Sequence, residues 1–300
     1  VTQHDTRLDV AIIVNPERSD AADQLVGALG RRPDGTVQPG RAIEVVQPPD
    51  TEHLATAIAD VAGRADVVAV VGGDGSQRTA ASVLAESGAT LAVVPGGTVN
   101  LLARVLGIDS VETAAAAIEG GARRTIDLGV VDGETFVLNA SSGYDADVID
   151  NVDDASKRWG RFGYFMAGLQ QLRDARPRHV TVTVDGREWY RGRAMSVIVT
   201  NIGQRGSANF TLAQGSAPDD GLLDVVVQRC DTPTSMLRSG LALLRDRTPD
   251  PDDLVTTHGR AIDVRWSGVV MGQRDGDSTG MCVNFHHEVV PGALTVCVPA

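Results

Sequence analysis

Two glycine-rich loops, Gly72-Gly73-Asp74-Gly75-Ser76 and Pro95-Gly96-Gly97-Thr98-Val99-Asn100, have the residue types needed to hold a phosphate group. Glycine lets an anion approach the main chain, and successive backbone N–H groups at the start of a helix favour negative charge. Each loop follows a short apolar run and precedes an amphipathic one, so the pair predicts a nucleotide-phosphate cradle built from Gly72, Gly73, Gly75 and Ser76 together with the second loop. Gly-Asp-Gly also makes hairpin turns, but a hairpin would need a second alternating strand where Ala80, Ala81, Val83 and Leu84 instead fall at helical spacing.

The elements that must position these loops are legible on either side. Asp66 to Val71 has the length and β-branching of a strand buried on both faces, as in a parallel sheet. Leu91 to Val94 repeats that pattern, and Leu101, Leu102, Val105 and Leu106 predict a helix face that stops at Gly107. Upstream, Leu8 to Val14 is another apolar run, broken at Asn15-Pro16 and followed by a helical pattern over Ala21 to Leu29. Three such loops converge on the carboxyl edge of a sheet.

From Ile126 onward the alternation of strand and helix gives way to strands bounded by turns. Ile126 to Val131, Asp132-Gly133 and Thr135 to Leu138 predict a hairpin, and further strands are expected over Val180–Val184, Arg193–Thr200, Leu222–Gln228, Ala261–Trp266 and Ala293–Val298. Helices are expected over Ala155–Arg173 and Thr234–Leu244. The chain therefore divides into an α/β nucleotide-binding domain over residues 1–125 and a mostly antiparallel β domain over residues 126–300.

Composition narrows the function classes. The 300 residues are 42% hydrophobic and 22% charged, which is a globular balance, and the formal net charge is −12. Such a charge repels a phosphate backbone, so a nucleic-acid partner is not expected. No apolar stretch reaches the roughly 18 residues of a membrane span, and the first residues carry no signal-peptide pattern, so a soluble, cytoplasmic chain is expected. Cys230, Cys282 and Cys297 lack metal-ligand spacing and read as core thiols. Lys157 is the one lysine among 27 basic residues, and no Walker-type lysine stands in either loop.

These motifs resemble the catalytic domain of bacterial diacylglycerol kinases and their sphingosine-kinase-like relatives. The resemblance spans nearly the whole chain: Asn15-Pro16, the two glycine loops with Leu101-Leu102-Ala103-Arg104, Asn139 to Ala146, Lys157 to Arg161, Ala217 to Asp224 and Pro291 to Leu294 occur in the family's order. It implies an NAD-kinase-like α/β domain, a β-sandwich second domain and an active site in the cleft between them. The implied reaction is ATP-dependent transfer of the γ-phosphate to a hydroxyl of a diacylglycerol-like lipid, with Mg²⁺. Asp275-Gly276-Asp277 stands where the family carries an Asp-Gly-Glu element, which implies Asp275 as general base, with Asp277 orienting it or holding magnesium. In-line attack by a lipid hydroxyl needs such a proton acceptor. The resemblance further implies that Asp74 positions Mg²⁺ on the β- and γ-phosphates and that Asn15, Gly97, Thr98 and Asn100 contact the nucleotide. Asp220 corresponds to a structural cation site. Thr98 equally fits a helix N-cap, and Asp220 equally fits a turn before a strand.

The chain departs from the family pattern at four places: Ser76 replaces a threonine, Arg78-Thr79 replaces Asn-Glu, Leu101 replaces a frequent aspartate, and Asp277 is one methylene shorter than glutamate. A non-catalytic nucleotide- or lipid-binding member is the alternative these changes motivate; an NAD kinase is a further one.

Between Lys157 and Arg193, nine basic residues stand against three acidic ones, and six of the 11 aromatic residues share that window. Arg158, Arg161, Arg173 and Arg176 in that pattern predict peripheral docking on an anionic membrane surface. The aromatic and apolar stripe Trp159, Phe162, Phe165, Leu169 and Leu172 equally fits the buried face of a helix. The expected partners are thus a lipid substrate and an anionic membrane, and a homodimer is compatible with the pattern.

Overall fold

The computed structural model describes residues 8–16, 19–29, 42–85, 87–97, 99–150, 176–202, 217–229, 232–244, 250 and 252–300. They form two compact units, Val1–Ile126 with Gly292–Ala300, and Asp127–Pro291. The last nine residues thus lie with the first unit, whereas the sequence division places everything from residue 126 onward in the second.

In the first unit, strands β1 (Leu8–Val14), β2 (Ile43–Val46), β3 (Ala65–Gly72) and β4 (Thr90–Pro95) alternate with helices α1 (Ser19–Leu29), α2 (Leu54–Ala62), α3 (Asp74–Leu84), α4 (Leu101–Val105) and α5 (Val111–Gly120). The strands are parallel in the order β2-β1-β3-β4, with Ile12 opposite Ala69 and Ala69 opposite Ala92. Covered on both faces, β3 is buried at Val67–Val71 and β4 at Leu91–Val94, which is why both read as unbroken apolar runs. α5 is sharply bounded, since the Ser110 hydroxyl accepts from Thr113 N–H at 3.1 Å and Gly121 closes the helix at φ +69°.

The second unit begins within β5 (Arg123–Val131) and contains β6 (Glu134–Phe136), β7 (Asn139–Gly143), α6 (Tyr144–Asp150), β8 (Arg178–Val184), β9 (Arg187–Ala194), β10 (Ser196–Thr200), β11 (Leu223–Gln228), α7 (Pro233–Leu244), β12 (Leu254–Gly259), β13 (Ala261–Arg274) and β14 (Asp277–Cys297). It is a mostly antiparallel β-sandwich. β13 serves both sheets: its first half pairs with β8, its last three residues pair with β7, and a register shift between Arg265 and Val270 marks the change. Val180, Val182, Val264, Trp266 and Phe285 pack with Val197, Val199, Val225 and Val227 to form the core. The last residues of β14 enter the first unit's sheet, where Val296 lies parallel to Leu91.

Arg193–Thr200, expected as one strand, is two. Arg187–Ala194 pairs with β8, Ser196–Thr200 pairs with β7 and β11, and Met195 between them bonds to Gln228 and Tyr144. The edge strands β9 and β12 lie outside the expected pattern because one exposed face leaves them short of apolar residues. Of the three cysteines, Cys297 is buried as expected, Cys282 is exposed, and Cys230 lies outside the described residues. The expected helix at 155–173, and with it Arg158, Arg161 and Arg173, also lies outside them. Trp189 and Tyr190 pack, partly buried, against the sandwich core, so these two aromatics serve packing. Among the described residues, no helix is long and apolar enough to cross a membrane.

One core group makes stability pH-dependent. His287 is buried against Phe136, with Nδ1 3.3 Å from the Ile262 carbonyl, and burial depresses its pKa from 6.5 to about 4. The unfolded chain therefore takes up this proton first as pH falls below 6.5. Stability falls through the window from 6.5 to about 4, by about 3 kcal/mol in all. Neighbouring His286 has the opposite sign: bonds to Glu288 and Asp263 raise its pKa, so its contribution is present below 6.5 and lost as pH rises through its folded value. That group is half exposed and screened. Urea titrations at pH 7.5 and 4.5 should show a net loss of stability on acidification, and His287→Gln should reduce that loss; an unreduced loss in the variant would place the acid sensitivity elsewhere.

Candidate functional site

Each unit carries its own set of candidate groups. In the first, β3 ends at Gly72 and β4 at Pro95, so both glycine loops leave the carboxyl end of adjacent parallel strands. They interlock through their backbones: Gly96 N–H donates to the Gly72 carbonyl at 3.0 Å. A Cβ on Gly97 would stand 2.6 Å from Gly73 Cα, and one on Gly96 would stand 3.1 Å from Gly72 N. A Cβ on Gly72 would strike the Ser76 side chain at 2.5 Å. Gly73, Gly96 and Gly97 are therefore required first by the approach of one loop to the other, and Gly72 by the Ser76 side chain of its own loop. Gly75 differs, because a Cβ there would meet nothing within 4 Å, leaving the first turn of α3 open to a ligand.

The structure brings the predicted residues of this unit together. Asn15 Nδ2 donates to Ser76 Oγ at 3.1 Å. Asn100 sits at φ +51° as the N-cap of α4; its Oδ1 accepts from Gly97 N–H at 2.7 Å, and its Nδ2 donates to the Gly97 carbonyl at 2.8 Å. The α4 cap thus belongs to Asn100, and Thr98 lies outside the described residues. Asp74 opens α3, and its Oδ1 accepts from Leu102 N–H at 3.3 Å. Burial holds the Asp74 carboxyl above the usual carboxylate range, against the pull of the Leu102, Leu101 and Asn100 amides and the Arg104 charge. One carboxylate beside a phosphate cradle is the kind of protein donor that magnesium takes, the remaining positions falling to water and phosphate oxygens. The residues present therefore fit a nucleotide phosphate at α3 and a magnesium ion on Asp74.

In the second unit, Asp275 and Gly276 form the β13–β14 hairpin turn, with φ of +48° and +91°. The Asp275 carboxylate accepts three main-chain bonds, from Val137 (2.8 Å) on Oδ2 and from Leu138 (2.9 Å) and Asn139 (2.9 Å) on Oδ1, while its own N–H donates to the Asn139 carbonyl. Asp132-Gly133 and Asp185-Gly186 repeat this arrangement. Asp185 Oδ1 accepts from Arg260 and Ala261 N–H, and Asp132 Oδ1 accepts from His286 N–H. Asp277 begins β14 and is exposed.

Gln273 secures the same turn, a role that its position two residues before Asp275 does not announce. It is buried; its Nε2 donates to Asn139 Oδ1 (2.9 Å) and Ser141 Oγ (2.7 Å), and its Oε1 accepts from Gly276 N–H (2.9 Å). Asp220 caps its own turn, with Oδ1 accepting from Leu222 N–H at 2.9 Å and Oδ2 from Ala217 N–H at 3.4 Å. Among the described residues no group of three or more His, Cys, Asp or Glu could hold a metal ion.

Gly97→Ala is expected to part the loops, because backbone cannot yield as a flexible side chain would. The loss of stability should be about 1–3 kcal/mol, with weaker nucleotide binding. Thermal unfolding and equilibrium binding measure the two, and wild-type values for both would mean that the contact between loops is dispensable.

Residues 9–131 match the diacylglycerol kinase catalytic domain, and residues 139–298 match the YegS C-terminal NAD kinase beta sandwich-like domain. The chain is 30% identical over 260 residues to a diacylglycerol kinase of Mycobacterium tuberculosis, covering 83% of this chain and 82% of that one. In structure it is similar to a putative diacylglycerol kinase from Bacillus anthracis, with a TM-score of 0.78 at 22% identity over 99% of this chain and 98% of that one. An NAD kinase from Archaeoglobus fulgidus shares the fold at a TM-score of 0.56 and 15% identity, over 97% and 94% of the two chains. With both of its parts matched and a relative at this identity aligned over most of its length, the chain belongs to the diacylglycerol kinase and YegS-like family of lipid kinases.

Proposed function

We propose that this lipid kinase transfers the γ-phosphoryl group of ATP to a hydroxyl of a diacylglycerol-like lipid. The observation that carries the reading is the pair of interlocked glycine loops, with the first turn of α3 left open at Gly75 and the half-buried Asp74 carboxyl beside it. Main-chain N–H groups of that turn orient the phosphates, and Asp74 would hold the magnesium ion. The bound ion supplies neutralisation of charge on the β- and γ-phosphoryl oxygens. Asp275 is proposed as the acceptor of the lipid hydroxyl proton. The N–H groups of Val137, Leu138 and Asn139 hold its carboxylate in one orientation, as a positioned proton acceptor requires.

A second reading, a family member that binds without turnover, is supported by the occupied Asp275 carboxylate and by Arg78 and Thr79 in place of the family's usual pair. Incubation with γ-labelled ATP, magnesium and a total lipid extract separates the two. A labelled phospholipid is the expected product, and ATP binding without any labelled lipid favours the second reading. NAD as acceptor should stay unlabelled.

We further propose that the enzyme works at an anionic membrane surface, with Arg158, Arg161, Arg173 and Arg176 contributing to docking. Their charge stands against the acidic whole, which favours this segment of the chain for negative headgroups. Running the same assay on vesicles with and without anionic lipid, at rising salt, tests it; turnover indifferent to both would remove the membrane from the reading.

A further inference from the structure

The sequence assigns no role to Gln77, yet it lies beneath the first glycine loop in the structure. It is 2% exposed, in the first turns of α3. Its Nε2 donates to the Val70 carbonyl at 2.8 Å and stands 3.4 Å from both the Gly72 and Val94 carbonyls, the last position of β3 and the last but one of β4. The orientation of the amide is fixed, because reversing it would turn Oε1 toward three carbonyl oxygens. As it stands, Oε1 is buried and has no hydrogen-bond partner.

An orphaned buried acceptor destabilises a fold, and an apolar side chain of equal length would avoid it. The amide therefore contributes something that an apolar residue cannot. Gly72 O is the acceptor that receives Gly96 N–H from the second loop, so Gln77 meets the carbonyl that ties the loops together and reaches the strand end on either side of that tie.

We infer that Gln77 is a positioning residue, whose side-chain amide holds the ends of β3 and β4 in register and so fixes the spacing of the two glycine loops. This rests on the proposal that the loops bind nucleotide phosphate, but its primary readout does not. In Gln77→Met the orphan disappears and the volume is kept, so the melting temperature should stay within about 2 °C of wild type or rise. Amide hydrogen exchange at Gly96 in the ligand-free protein should nevertheless accelerate by about tenfold, while Ala69 and Val93 in the strand interiors keep their protection. ATP binding should weaken by a similar factor, with a larger effect on the KM for ATP than on kcat. Gln77→Leu, shorter and branched, should reproduce the exchange change if loss of the amide is its cause.

Gly96 exchange within twofold of wild type in both variants would overturn the inference, as would loss of protection throughout the first unit, which marks a general packing role. If wild-type protein binds no ATP while Gly96 exchange still responds to Gln77→Met, the kinase reading fails and the positioning role stands.

Discussion

Asp74→Asn should abolish most turnover while making the ligand-free protein more stable. The two effects have one cause. Burial raises the folded pKa of Asp74 above its ordinary 3.8, which means that the charged form is disfavoured in the folded state relative to the unfolded chain. For an acid shifted in this direction, the unfolded chain ionises first as pH rises. The resulting penalty grows from pH 3.8 to the folded pKa and persists at neutrality. Asparagine removes the charge but keeps an Oδ1 that can accept from Leu102 N–H, so the α4 end stays bonded. The melting temperature at pH 7.5 should therefore rise, and the gain should shrink as pH falls toward 4. Without the carboxylate, nothing at that position offsets phosphate charge or holds magnesium, and kcat should fall by about 10² or more. Retention of more than about a tenth of wild-type kcat would remove Asp74 from the catalytic machinery. A melting temperature that drops would show that the charged carboxylate is a net structural asset instead.

The first unit is legible in the sequence because both of its strong signals are local. Buried parallel strands leave unbroken β-branched runs at Val67–Val71 and Leu91–Val94, and each glycine loop follows its strand directly. What those signals do not convey is which atoms the glycines face. Phosphate approach alone explains a glycine, yet Gly97 stands against Gly73 and Gly96 against Gly72, contacts between segments that no spacing rule connects. Gln77 escapes notice for the same reason, since one polar residue on an Ala-rich helix looks like a solvated position until two strand ends are built beneath it.

The second unit is harder to read because its strands change partners. Arg193–Thr200 reads as one extended run, and only the backbone of Met195, bonded to Gln228 and Tyr144, shows where one strand stops and a strand of the other sheet begins. The Asp-Gly turns, by contrast, are visible as dipeptides. Their common device is not, because each aspartate reaches main-chain donors of a segment remote in sequence: Asp132 at His286, Asp185 at Ala261 and Asp275 at Asn139.

That repetition sharpens the test of Asp275. Two of the three hairpin aspartates stand outside the proposed chemistry and simply anchor their turns, so Asp275→Ala confounds two losses. It removes the proposed base, and it strands the Val137, Leu138 and Asn139 N–H groups, at a cost of about 2–4 kcal/mol for bonds to a charged acceptor. Asp185→Ala measures the anchoring loss by itself at an equivalent turn. Asp275→Asn separates the two roles: asparagine tolerates φ +48°, and its Oδ1 can still accept from Leu138 and Asn139, but the amide cannot take a proton from a lipid hydroxyl. With Asp275 as base, Asp275→Asn should lower kcat by about 10²–10⁴, leave the affinity for ATP within about threefold, and cost less stability than Asp275→Ala. If Asp275→Asn instead keeps kcat within about tenfold while Asp275→Ala is unstable and inactive, the carboxylate is an anchor like those of Asp132 and Asp185. The proton acceptor would then be sought at the exposed Asp277, one residue beyond the turn.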